Sequence, residues 1–280
     1  MKPQEIIKAV PAMDGAGVRI NRLAGSGLHR LLDPYLMIDE IRSDEAEDYM
    51  AGFPSHPHRG FETITYLLKG RMKHEDHLGN KRVMSDGGVQ WMTTGRGILH
   101  SEMPEPSVDG FHGFQIWLNL PSEQKMMAPI YHDLDPDEIP GFADQGSETK
   151  LIAGALTVNN KLLEGVFDHG IRTAPTIADV RLEAGAEVQL EVAADKNLIV
   201  FAYDGEDQFI PLGHLGVFAD GHAHLHANLH PTGGLRALVL AGERLNEPIV
   251  QHGPFVMNSQ IEIEQAMRDY AAGTLASYKD

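Results

Sequence analysis

Between Phe61 and Gly88 the chain reads FETITYLLKGRMKHEDHLGNKRVMSDGG, a series of short runs in which apolar and polar side chains alternate, each closed by turn-forming residues. Alternation with a period of two puts one face of a strand on a core and the other on solvent. The pattern predicts a strand, a turn at Gly70, a second strand, a turn at Gly79-Asn80, a third strand and an Asp-Gly turn at Asp86-Gly87. A second stretch, KNLIVFAYDGEDQFIPLGHLGVFADGHAH from Lys196 to His224, echoes the first. Gly205 answers Gly70, Gly213 answers Gly79, and VFADG answers VMSDG, which reads as an internal duplication.

Two similar units of short strands predict an all-β fold of two packed β-barrel or jelly-roll domains. The join is expected in the Pro-rich, acidic stretch from Leu120 to Glu148, which is poor in alternation. That gives an amino-terminal domain over residues 1–130 and a carboxy-terminal domain over 131–280. Near the end, Ser259 with Glu262 three residues on reads as a capping box. It opens a C-terminal helix through Ile263, Met267 and Tyr270, stopped near Gly273 and serving packing rather than chemistry.

Composition narrows the chemistry. With 40 Asp and Glu against 23 Lys and Arg, the formal net charge is −17, which repels phosphate backbones and anionic lipid. No basic patch offsets it, so direct nucleic-acid or membrane binding is not expected. Cysteine is absent, so any metal must be held by nitrogen and oxygen. The amino terminus is broken by Pro3, Gln4, Glu5 and Lys8 and does not read as a secretory signal, and no apolar run approaches a membrane span. A cytoplasmic monomer is the expectation.

Two short motifs carry candidate chemistry. His56 and His58 sit one residue apart in SHPHRG, and His100 and Glu102 sit one residue apart in GRGILHSEMP. Side chains at i and i+2 of a strand leave from the same face, so each pair can bind one ion from a rigid pleat. Gly95 and Gly97 allow the tight turn that returns the second pair towards the first. Three neutral imidazoles and one carboxylate suit Fe(II), Mn, Co, Ni, Cu or Zn, and an octahedral ion so held keeps two positions open. Carried across the duplication, the matching positions fall near Glu191 and Ala193, and near Gly234 and Arg236, so the second copy lacks the set. Restriction to one copy favours chemistry over a need of the fold.

HPHRGFETITYLLKG, DGGVQWMTTGRGILHSEMP and, near the end, LAGERLNEPIVQHGPFVMNS followed by a helix resemble the pirin family of the cupin superfamily, over nearly the whole chain. The resemblance implies a bicupin fold with one mononuclear metal, often iron, held in the amino-terminal barrel by His56, His58, His100 and Glu102. In the wider cupin pattern the glutamate four residues after H-x-H, here Glu62, is a ligand. In pirins the carboxylate comes from the H-x-E pair, so Glu62 is left out of the set and read either as a structural acid or as a partly exposed strand residue. The resemblance further implies a quercetin 2,3-dioxygenase type of activity on a flavonol and O2, with Glu102 as catalytic base. The alternative it implies is an iron-dependent, redox-sensing regulatory protein, a cofactor of transcription or of a metabolic enzyme, with a protein partner.

Other groups weigh less. His222, His224 and His226, with His230, stand at strand spacing without a returning pair and read as solvated surface rather than a second metal site. His74 to His77, HEDH, reads as a polar loop. Phe53, Trp91, Met92, Met103, Phe114 and Trp117 flank the ligand segments and read as an apolar mouth or as core. No Walker sequence, no dinucleotide fingerprint and no G-x-S-x-G is present.

Overall fold

The computed structural model describes residues 2–167, 173–218, 222–226 and 234–277, the segment 222–226 through its backbone. The chain forms two compact units. One comprises Val10–Leu31, Tyr35–Pro136 and Leu245–Asp280, and the other Met1–Ala9, Leu32–Pro34 and Asp137–Arg244.

The first unit has a seven-stranded antiparallel sheet in the order Ile130–Leu134, Val89–Thr93, Phe61–Lys69, Phe111–Asn119, Tyr35–Ser43, Val18–Ala24, Val10–Asp14. A four-stranded sheet in the order Phe53–His58, Ile98–Glu105, Arg71–Asp76, Lys81–Met84 completes it. The strands and turns read from Phe61 to Gly88 are present, with Gly70 at φ 103° and Gly87 at φ 81° supplying conformations that L side chains resist. Phe53–His58 lies at a sheet edge, the place for a strand with prolines at 54 and 57, which have no N–H to give a ladder.

The second unit repeats the plan. Its seven-stranded sheet runs Glu5–Lys8, His214–Phe218, Lys196–Asp204, Leu235–Glu243, Thr176–Leu182, Ser147–Ala153, Gly141–Asp144. Its four-stranded sheet runs Lys161–Glu164, Ala155–Val158, Glu187–Glu191, His222–His226. The duplication is therefore real, but its alignment needs correcting. The Gly213 N–H donates to Ala202 O as the Gly87 N–H donates to Leu67 O, so Gly213 answers Gly87 rather than Gly79. Among the described residues the second copy has no hairpin matching Arg71–Asp76 and Lys81–Met84. The counterpart of Ile98–Glu105 is then His222–His226, not the region of Gly234 and Arg236. That strand pairs Glu191 with His222 where the first unit pairs His56 with His100. The side chains of His222, His224 and His226, and all of His230, lie outside the described residues.

A single break near residue 130 does not describe the units, because the chain ends are exchanged. Glu5–Lys8 completes the edge beside His214–Phe218 in the second unit. The hairpin Val250–His252 with Phe255–Met257 and the helix Gln260–Ala271 belong to the first. The helix starts with a variant of the capping box: Ser259 accepts from the Glu262 N–H, while the Glu262 carboxylate accepts from the Asn258 N–H at 3.2 Å, one residue before the cap, and from Ser259 Oγ at 2.7 Å. Gly273 ends it at φ 70°. Ile263 and Ala266 pack on Phe255, Met257 and Leu275, whereas Met267 and Tyr270 are exposed. Among the described residues no helix is long and apolar enough to cross a membrane.

Candidate metal centre

The two ligand segments meet as neighbouring antiparallel strands, with His56 opposite His100 and the register breaking between His100 and Glu102. Along Ile98–Glu105 burial alternates strictly, which turns His100 and Glu102 inward. His58, His100 and Glu102 are buried and His56 is half-buried. The Nε2 atoms of His56 and His58 lie 2.9 Å apart, as do those of His56 and His100.

The outer nitrogens decide what the inner ones are. His56 Nδ1 lies 2.9 Å from Pro54 O, and His58 Nδ1 lies 3.4 Å from Pro254 O. A carbonyl only accepts, so both Nδ1 atoms carry the proton and both Nε2 atoms present lone pairs. Burial, then the neighbouring imidazoles, hold His58 and His100 well below the usual histidine range, so both stay neutral at pH 7. Converging neutral lone pairs at 2.9 Å repel unless a cation sits among them. The donor set fits a borderline divalent ion.

Glu102 stands apart from this cluster. The ligating atoms that lie within 4.8 Å of one another are those of His56, His58 and His100. Glu102 Oε2 accepts from Gln115 Nε2 at 2.8 Å, and Glu102 Oε1 lies 2.8 Å from Thr65 Oγ1, which is also 2.8 Å from Gln115 Oε1. Thr65 has one proton to give, and the charged carboxylate is the stronger acceptor. Glu102 is thus aimed by two neutral side chains at the rim of the histidine cluster.

The segment after His58 is fixed from far along the chain. Arg59, 1% exposed, donates to Asp269 Oδ2 at 2.7 Å and to Arg96 O. Gly60 has φ 92°, and a Cβ there would lie 2.1 Å from Val256 O. Buried Lys125 donates to Gly60 O, Asn119 Oδ1 and Val256 O at 2.6, 2.6 and 3.1 Å, which uses all three ammonium hydrogens. Burial pushes this lysine down to about 7 against the pull of Glu247 and Glu262.

A cavity of about 580 Å³ opens beside the cluster, lined by His56, His58 and Glu102 together with Phe53, Met37 and Trp117. This is within the usual range of small-molecule pockets, roughly 300–1,000 Å³. Of the aromatic and methionine residues singled out above, Phe53 and Trp117 line it, Trp91, Met92 and Phe114 are core, and Met103 is half-buried.

Glu62 sits one step out of phase with Thr65 on the same strand, where Thr93 donates to it at 2.5 Å. It is fully buried and does not line the cavity. HEDH is not a loop: His74 and Asp76 belong to the strand Arg71–Asp76, both side chains are fully buried, and His74 stacks on Tyr131. The alternation of Met72 with His74 carried that signal. Arg22, Asp39 and Asp14, also on the cavity wall, carry no local motif; only a charged pair, Asp39-Glu40, inside the apolar run YLMIDEIRS hints at them.

Comparison with known proteins agrees with this fold. A Pseudomonas aeruginosa protein whose name provisionally assigns it as a quercetin 2,3-dioxygenase is 43% identical over 271 residues, covering 95% of each chain. Human pirin is 38% identical over 267 residues, covering 92% of this chain and 88% of that one. The crystal structure of quercetin 2,3-dioxygenase from Acinetobacter baumannii superposes with a TM-score of 0.83 at 30% identity, over 98% of each chain. The bacterial pirin YhhW of Escherichia coli, solved in complex with nickel(II), shares the fold with a TM-score of 0.61 at 20% identity, over 86% of this chain and 98% of that one. The pattern of the Pirin family matches residues 17–118 and that of the Pirin C-terminal cupin domain matches residues 177–276, and the chain belongs to the pirin family.

Proposed function

We propose that the protein is a metal-dependent oxygenase of the quercetin 2,3-dioxygenase type, acting on a flavonol with O2. The observation that carries this reading is the convergence of the His56, His58 and His100 imidazoles, with Glu102 beside them, at a cavity of about 580 Å³ whose lining includes His56, His58, Glu102, Phe53 and Trp117. His56, His58 and His100 would hold the ion, with Glu102 as fourth ligand. Fe(II) is the ion we favour within the borderline series that this donor set accepts. A bound ion of this kind supplies Lewis acidity that lowers the pKa of a coordinated hydroxyl. The side chains do the rest. Phe53 and Trp117 take up the flat rings of the substrate and exclude water from its reacting face. Glu102, aimed by Thr65 and Gln115, accepts the hydroxyl proton at a carboxylate oxygen.

The test is oxygen uptake by iron-loaded protein with a panel of flavonols, beside Glu102→Gln at matched metal content. Wild type should consume oxygen, and the Gln variant should turn over about 10² to 10⁴ times more slowly while metal occupancy falls less, because an amide oxygen coordinates but is a poor base. Near-wild-type turnover by the variant would take the base role from Glu102. No uptake with any flavonol would hand the site to the iron-dependent regulatory alternative.

A further inference from the structure

The cavity has a second polar pole that this chemistry leaves idle. Arg22 and Asp39 are register partners on adjacent strands, and their side chains meet in a fork, with Arg22 Nε donating to Asp39 Oδ1 at 2.9 Å and Nη2 to Asp39 Oδ2 at 2.6 Å. Nη2 also donates to Asp14 Oδ2 at 2.6 Å. The Asp39 side chain is 4% exposed, whereas those of Arg22 and Asp14 are 34% and 46% exposed. All three line the cavity shared with His56, His58 and Glu102. The bonds of the guanidinium to other described residues run through Nε and Nη2, which leaves the two N–H groups of Nη1 to a ligand.

The charge of this pole selects its ligand. Two carboxylates against one guanidinium leave it negative, so a carboxylate or phosphate at that end of a substrate is repelled. A ring hydroxyl is matched: its oxygen accepts from Nη1, and its proton goes to a lone pair that the arginine leaves free on Asp14 or Asp39. Two neighbouring hydroxyls use both partners at once. Met37 touches this pole, its Sδ 3.6 Å from Arg22 Nη2, and Ile20 and Trp117 line the same cavity, surfaces that favour a flat ring.

We propose that Arg22, gripped by Asp39 and Asp14, reads the hydroxyl groups at the end of a neutral aromatic substrate remote from the histidines, and so sets which ring-hydroxylated compounds the cavity accepts. The proposal rests on the reading of this cavity as a flavonol site. Arg22 is in this account a specificity determinant with no part in the reacting bonds.

The experiment is anaerobic titration of the metal-loaded protein, read by tryptophan fluorescence, with three flavonols that share the 3-hydroxy-4-keto end and carry no, one or two hydroxyls on the pendant ring. Wild type should bind the dihydroxylated compound about tenfold more tightly than the unsubstituted one, about 1.4 kcal/mol. In the neutral pair Arg22→Gln/Asp39→Asn, which leaves no buried charge unpaired, that preference should vanish. Arg22→Lys, which keeps a charge beside Asp39 but loses the fork, is the second variant should the double fail to fold, and it should lose most of the preference. Equal binding of the three compounds by wild type, or an unchanged preference in either folded variant, overturns the proposal. The two readings separate cleanly. Graded binding without oxygen uptake sinks the oxygenase and keeps the specificity role, uptake without graded binding does the reverse, and no binding of any flavonol sinks both.

Discussion

One row of residues across each seven-stranded sheet can be followed from strand to strand. In the amino-terminal barrel the register partners are Arg22, Asp39, Gln115, Thr65 and Gln90. In the carboxy-terminal barrel the same walk reads Leu151, Ala178, Val239, Val200 and Gly216. Leu151, Ala178, Val239 and Val200 of the second row belong to a buried apolar cluster with Leu198, Leu156 and Phe218. Of the first row, Arg22, Asp39 and Gln115 line a cavity, Gln115 and Thr65 bond Glu102, and the end is the Arg22–Asp39 fork. The sheet order is therefore common to both units, and the same register line of side chains is apolar in one and polar in the other. The site is grafted on the fold, and the fold alone would not reveal it.

The largest effect should come from crossing the two rows. Val239→Asp puts a carboxylate where Gln115 stands in the other barrel but with apolar neighbours only, and an unpaired buried charge costs about 3–5 kcal/mol. Chemical denaturation should show that loss, with metal content unchanged. Tolerance within about 1 kcal/mol would mean that the second barrel is not the packed element described here.

Next in size is Glu62→Gln. Asn197 is the counterpart of Glu62, each being the second residue of the matching nine-residue strand, so the substitution makes the two barrels alike. Burial raises the Glu62 carboxyl from its ordinary 4.5 to about 7, opposed by the bond from Thr93. The folded protein thus keeps a proton that the unfolded chain releases. Its contribution is full below about pH 4.5 and is lost as pH rises through about 7. The Gln variant should match wild type near pH 4 and exceed it by up to roughly 3 kcal/mol at pH 8. Denaturation curves at the two pH values check the sign; a gain at pH 4 instead of pH 8 would contradict it.

A smaller effect is expected from Gln115→Val, which copies Val239 into the polar row. Glu102 loses one of its two donors, and groups that orient ligands typically contribute 10- to 100-fold to metal affinity. Competition with a chelator of known affinity measures it. Unchanged affinity would show that Glu102 needs no aiming.

Much of this was written locally. H-x-H and H-x-E spell out their own geometry because strand spacing fixes which side chains share a face, and the Gly-closed runs spell out the barrels. The polar row was not legible, since Arg22, Asp39, Gln115 and Thr65 are distant in sequence and meet only through register. His74 was readable from its alternation with Met72 but was obscured by the polar residues around it. The exchange of chain ends left no local trace, because Glu5–Lys8 pairs with His214–Phe218 some 200 residues away. The hairpin missing from the second copy shifted the alignment after Gly205, since matching by composition alone cannot see a deleted pair of strands.

On the proposed reading, the amino-terminal barrel alone holds an ion. Elemental analysis of metal-to-protein stoichiometry, on wild type and on His56→Ala/His58→Ala after loading and desalting, decides it. One divalent ion per wild-type chain and none in a folded double variant is the expected result. An ion retained by the double variant, and lost instead on replacing His222, His224 and His226, would contradict it.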